Sequence, residues 1–163
     1  MPLDPNIILS EWTESAGRLP GQADFDPFGG CIDALSAWDD FGGLTRSEGF
    51  EKFCSSPDSY HEGFMWMGGR AFAFYFPIIE RYVFQTHIAD DEDEVDAIWI
   101  LAHCISLHLD PDSHDDIKTV RDRILTLTQH VRSNLSKFGK TPTDQRHVDE
   151  AWRELHQCLE RSD

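Results

Sequence analysis

Basic residues are scarce in this chain: 14 Lys and Arg stand against 30 Asp and Glu, a formal net charge of −16 over 163 residues. A chain so short of cations offers no basic stripe to neutralise phosphates, so direct nucleic-acid binding is not expected. Long apolar runs are also lacking. The two longest, Ala97–Leu109 and Ala71–Val83, have thirteen residues each, and the second is interrupted by Pro77, Glu80 and Arg81. Both fall short of the roughly 20 residues that cross a bilayer, so no membrane association is expected. Met1–Ser10, "MPLDPNIILS", has neither a basic start nor a long apolar stretch, which reads as a cytoplasmic chain without a secretory signal. The four cysteines, Cys31, Cys54, Cys104 and Cys158, form no Cys-x-x-Cys pair. In a reducing cytosol they read as free thiols, and the sequon Asn134-Leu135-Ser136 carries no meaning there.

The sequence contains no G-x-S-x-G nucleophile elbow, no H-E-x-x-H, no EF-hand loop and no zinc ribbon. Three Gly-Gly pairs occur, at Gly29-Gly30, Gly42-Gly43 and Gly68-Gly69. None follows a strand with a Lys or Ser/Thr set to meet a phosphate, so all three read as breakers between helices.

The chain reads as one α-helical domain over 1–163, with short elements and turns in 1–68 and long helices in 69–163. Ten of the eleven glycines precede Arg70 and ten of the eleven phenylalanines precede Gln85, which sets that division. In the first part, Ile32, Leu35 and Trp38 recur at helical spacing, and Thr45 with Glu48 forms a capping-box pattern ahead of Phe50 and Phe53. The stretch "GGRAFAFYFPIIERYVFQTH" is apolar on every side and too long for a strand. It predicts a buried helix over about 69–86, kinked or loosened at Pro77. A second buried helix is predicted over about 94–109. It opens on six acids in Asp90–Asp96, where carboxylates suit the positive end of the helix dipole.

Two amphipathic helices follow. The first, from Ser113 to a stop at Gly139, buries Ile117, Val120, Ile124, Leu127 and Val131. The second, capped by Thr143, buries Val148, Trp152, Leu155 and Leu159. They are expected to pack as an antiparallel hairpin on the buried pair, although a homodimer seam would look the same from sequence. The fold class is therefore all-α, a compact bundle of six or seven helices with two buried central ones, as a monomer or homodimer.

Candidate chemistry is concentrated in Thr86–Asp116, which holds four of the eight histidines. Cys104 and His108, four apart, could face one metal ion. The bland alternative makes Cys104 a core thiol and His108 a partly cationic cap at the helix C-terminus. His103 and His108 are five apart and splay by about 140°, while His87 and His114 match no ligand template. Asp96, His103 and Ser106 share one side of the helix with Trp99, but Asp96 and His103 lie roughly 10 Å apart along the axis. Arg70, Glu80 and Arg81 sit on an apolar helix, where a charge must pair, face water or line an anion pocket.

Gly43–Gln85 resembles a family of small uncharacterised bacterial proteins in which a short loop element precedes an Ala-Phe-x-Tyr-Tyr-Leu-Pro-x-aliphatic helix. Ala71, Phe72, Phe74, Tyr75, Phe76, Pro77 and Ile78 stand in comparable places. The resemblance covers about a third of the chain. It implies an all-helical domain with no catalytic residues to carry over, of a kind that acts by binding other proteins.

The charge is also uneven. Residues 1–112 hold 21 acids and 5 bases, whereas 113–163 hold 9 of each. The excess is either plain solubility or a surface for a basic protein partner, of immunity or inhibitor type, with Asp90, Asp91, Glu92, Asp93 and Glu94 as contact residues. Two other readings stay open: a small enzyme or ligand-binding protein with a pocket beside the Trp99/His103 helix, and a metal protein using Cys104 and His108. The favoured reading is non-enzymatic and implies no cofactor.

Overall fold

The computed structural model describes residues 18–85, 92–110, 112 and 115–162, with the side chains of Glu92 and Asp93 excepted. Among these the chain is helical, with no strand. Its elements are α1 (Gln22–Phe25), α2 (Ile32–Phe41), α3 (Arg46–Ser55), α4 (Pro57–Tyr60), α5 (Gly63–Trp66), α6 (Gly69–Gln85), α7 (Glu92–Ser106), α8 (Asp115–Ser133), α9 (Leu135–Phe138) and α10 (Pro142–Arg161). Six of these have ten or more residues and four are single turns, so the all-α bundle expected from the sequence is what forms.

The glycine pairs work as breakers. Gly29, Gly30 and Gly43 take φ of 76°, 82° and 76°, left-handed values that glycine adopts without strain. Gly68 serves another purpose: a Cβ there would lie 2.3 Å from the carbonyl oxygen of Asp24, so only glycine lets α1 sit against the start of α6.

At the centre is α6. Phe72, Tyr75, Phe76, Ile78, Ile79 and Val83 are fully buried, and the helix runs through Pro77 as one element. Pro77 has no N–H to donate. In the same turn the Phe74 carbonyl accepts 2.6 Å from Arg46 Nε, with the Arg46 guanidinium over the Phe74 ring at 4.2 Å. From the next residue the Tyr75 hydroxyl meets the carbonyls of Phe41 (2.9 Å) and Leu44 (2.7 Å), in the same segment as Arg46. The short N-terminal elements are thus held to α6 by directional contacts as well as by Phe25, Phe41, Phe53 and Phe64, all fully buried.

The second central helix is buried on one side only. Ile98, Leu101, Ala102, Cys104 and Ile105 are sealed, while Asp96, Trp99 and His103 are half-buried along the other face. The helix ends at Ser106, short of the expected Leu109, because its last turn tightens: His108 and Leu109 N–H donate to the carbonyls of Ile105 and Ser106, three residues back.

Two other boundaries differ from expectation. α8 stops at Ser133, since Asn134 Nδ2 donates to the His130 carbonyl at 2.8 Å and so competes with the backbone for it. α10 is capped by Thr141: Pro142 takes the first helical position, and Thr141 and Asp144 complete a capping box. Ser113, the expected cap of α8, lies outside the described residues. In α2 the buried face is Ala34, Ala37 and Phe41, while Ile32 is 82% exposed. The two alanines bring α2 close to its neighbours, and Phe41 supplies the anchor.

α8 packs on α6, α10 packs on α7, and the two pack on each other. Their apolar faces are those expected, with Ile124, Leu127, Val131, Val148, Trp152 and Leu155 fully buried. Arg121, near the start of α8, donates to the carbonyl of Leu159 near the end of α10, and Arg132 at the other end of α8 pairs with Asp149 at 3.3 Å. These ties fix the hairpin as antiparallel.

Candidate functional site

Trp152 fixes the junction of α7 and α10. Fully buried, it donates its indole N–H to the Ile98 carbonyl at 3.1 Å. Beside it the two helices part into an open hollow of about 240 Å³, lined by Trp99 and His103 from α7 and by His147, Glu150, Ala151 and Glu154 from α10. Trp99 is held in place: its Nε1–H donates to Asp96 at 3.0 Å, and its ring meets that of His103 edge-on at 5.6 Å between centroids. Ala151 is nearly buried, and its small side chain leaves the space between the walls. Glu150 and Glu154 are exposed. Among the described residues lining the hollow, none is Lys or Arg.

The α7 wall was legible in the sequence, because Asp96, Trp99 and His103 fall three and four apart. The α10 wall was not. His147, Glu150 and Glu154 form an i, i+3, i+7 stripe of the kind any solvated helix face shows, and only the packing of α10 against α7 gives it a meaning. Ser106 is not part of the hollow. Its hydroxyl donates to the Ala102 carbonyl at 2.7 Å, and it borders a second depression of about 420 Å³ with Leu107, Cys158 and Arg161.

Other candidate residues are engaged elsewhere. The Cys104 thiol donates to the His61 carbonyl at 3.4 Å and is pushed up to about 12 by burial. His108 donates from Nε2 to the Phe64 carbonyl at 2.8 Å and stacks on Phe72 at 4.0 Å. Burial drives its pKa down to about 4, so it is a neutral, inward-facing ring and not the cationic helix cap expected from sequence. Among the described residues no group of three or more His, Cys, Asp and Glu is placed to hold a metal ion. His87 and His114 lie outside them.

Arg70 pairs with Asp24 at 3.3 Å. Arg81 lies over the Phe50 ring at 4.1 Å. Glu80, with no solvent exposure, is held by Arg123, whose Nε donates at 3.0 Å and whose Nη2 makes a second, shorter bond. Three turns of α6 separate Arg70 from Arg81, and each contacts its own neighbour. Of the acidic run, Asp90 and Asp91 lie outside the described residues, Glu92 and Asp93 form the first turn of α7, and Glu94 is half-exposed.

His108 has a measurable consequence. Its pKa is about 4 in the folded chain, against about 6.5 when unfolded. Between those values the unfolded chain binds more protons, so stability falls as pH drops through this window and levels off below it. By pH 5 the expected loss is about 2 kcal/mol. His61 and His130 are lowered in the same direction by burial. Urea unfolding at pH 7.5 and pH 5 should show a smaller pH effect in His108→Gln than in the native chain. An equal effect in both would remove His108 from the account.

No protein-family model, no curated protein and no solved structure matches this chain. Among the described residues no helix is long and apolar enough to cross a membrane.

Proposed function

We propose that this protein is a non-enzymatic interaction module whose acidic surface binds a basic protein partner, as an immunity or inhibitor protein does. The supporting observation is how the charges of residues 1–112 are disposed. Asp33, Asp39, Glu48, Glu51, Asp58 and Glu62 are exposed. Four of the five bases in the same region are turned onto the molecule itself. Arg46 is on the Phe74 carbonyl, Lys52 on the Asp40 carbonyl at 2.6 Å, Arg70 on Asp24 and Arg81 on Phe50. With 21 acids against 5 bases in this region, the net field is negative, and such a field speeds the encounter with a basic partner.

We assign the contact to the acidic run Asp90–Glu94, which leads into α7 in the sequence. Asp91→Asn, Glu92→Gln, Asp93→Asn and Glu94→Gln together should slow association with a basic partner captured from the native host and then purified. The expected reduction is about tenfold at low salt, and raising salt should weaken the native interaction. Association that is indifferent to both the substitutions and the salt would refute the reading.

A further inference from the structure

We infer that the hollow between α7 and α10 receives a single arginine side chain of that basic partner. The inference rests on the interaction-module reading and adds the place and the chemistry of the contact. Three features of the hollow converge on a guanidinium. Trp99, locked by Asp96 and His103, offers a rigid aromatic wall. Glu150 and Glu154 line the opposite wall, with no Lys or Arg among the described lining residues. A volume of about 240 Å³ lies below the roughly 300–1,000 Å³ of pockets that enclose drug-sized ligands, and suits one extended side chain.

An aromatic face and carboxylates together favour Arg over Lys, because the planar guanidinium can stack on the ring while its fork donates to carboxylate oxygens. The Trp152 bond to the Ile98 carbonyl ties the two walls together, so the ordering cost of entry falls on the Glu150 and Glu154 side chains and not on the helices.

The test is titration of the whole protein at pH 8 with arginine blocked at both ends as N-acetyl-arginine methylamide. It is followed through the Trp99 indole N–H resonance, assigned by its loss in Trp99→Phe. A saturable shift with Kd of about 1–10 mM is expected for a lone side chain. Blocked lysine should bind more weakly, and blocked citrulline, which keeps the shape without the charge, should not bind. Glu150→Gln with Glu154→Gln should weaken binding about fivefold or more. Both residues are exposed, so the fold should survive.

No saturable Trp99 shift, or equal binding of citrulline, overturns the proposal. Free L-arginine binding more than about tenfold tighter than the blocked form also overturns it, by pointing to an amino-acid ligand in place of a partner's side chain. The two readings fail separately. The variant neutralised at Asp91–Glu94 should still bind blocked arginine. If blocked arginine fails while a basic partner still associates in a salt-sensitive way, only the hollow's assignment falls. If it binds but association with the partner ignores salt, the surface reading falls and takes the partner with it.

Discussion

Arg123→Met should destabilise the protein by about 3–5 kcal/mol, the usual cost of removing one partner from a buried ion pair. The pair is lopsided: Glu80 has no solvent exposure, while the Arg123 side chain keeps 25%. Deprived of the guanidinium, the Glu80 carboxylate would lose both Arg123 bonds inside the core, where an under-compensated charge is costly. Glu80→Gln should be milder, about 1–3 kcal/mol, because Arg123 can still reach water and a neutral amide can still accept from it. The double variant Glu80→Met, Arg123→Met should recover most of the loss, since an apolar pair of similar volume removes both desolvation costs. Denaturant unfolding of the three variants gives the comparison directly. A milder Arg123→Met than Glu80→Gln would contradict the burial asymmetry on which the argument rests.

Trp152→Ala should cost about 3–5 kcal/mol through the cavity it leaves, with a further loss from its bond to the Ile98 carbonyl. Trp152→Phe fills most of the space and forfeits only the indole N–H, so about 1–2 kcal/mol is expected. The conservative variant is the informative one. Because Trp152 sets the separation of α7 and α10, Trp152→Phe should shift the Trp99 indole resonance even though Trp99 is on the other helix. An unmoved Trp99 signal in a folded Trp152→Phe protein would mean that the walls of the hollow are held by something else.

What the sequence made legible, and what it hid, follows from the reach of each interaction. The apolar faces of α8 and α10 could be read in advance because they are local: Ile117, Val120, Ile124, Leu127 and Val131 repeat along one helix whatever it packs against. The Thr45–Glu48 capping box is equally local, and it forms. Ile32 misled because periodicity marks a stripe as apolar without saying which of two stripes is used, and α2 buries its alanines. Pairings across the chain were out of reach. Glu80 announced that it needed a cation, but Arg123 is 43 residues further on, and nothing near either residue links them. His108 was misjudged for the same reason, since the packing that buries it and keeps it neutral, the Phe72 ring included, comes from distant turns. The hollow was half visible: its α7 wall has a spacing, while its α10 wall exists only through docking.

The excess of acids over bases in the first 112 residues, 21 against 5, sets ionic strength against itself. Dissolved salt shields the acids from one another and so steadies the native chain, while the same shielding erases the long-range pull on a cationic visitor. Conditions that make this protein most robust should therefore be those in which it is slowest to find the partner proposed for it.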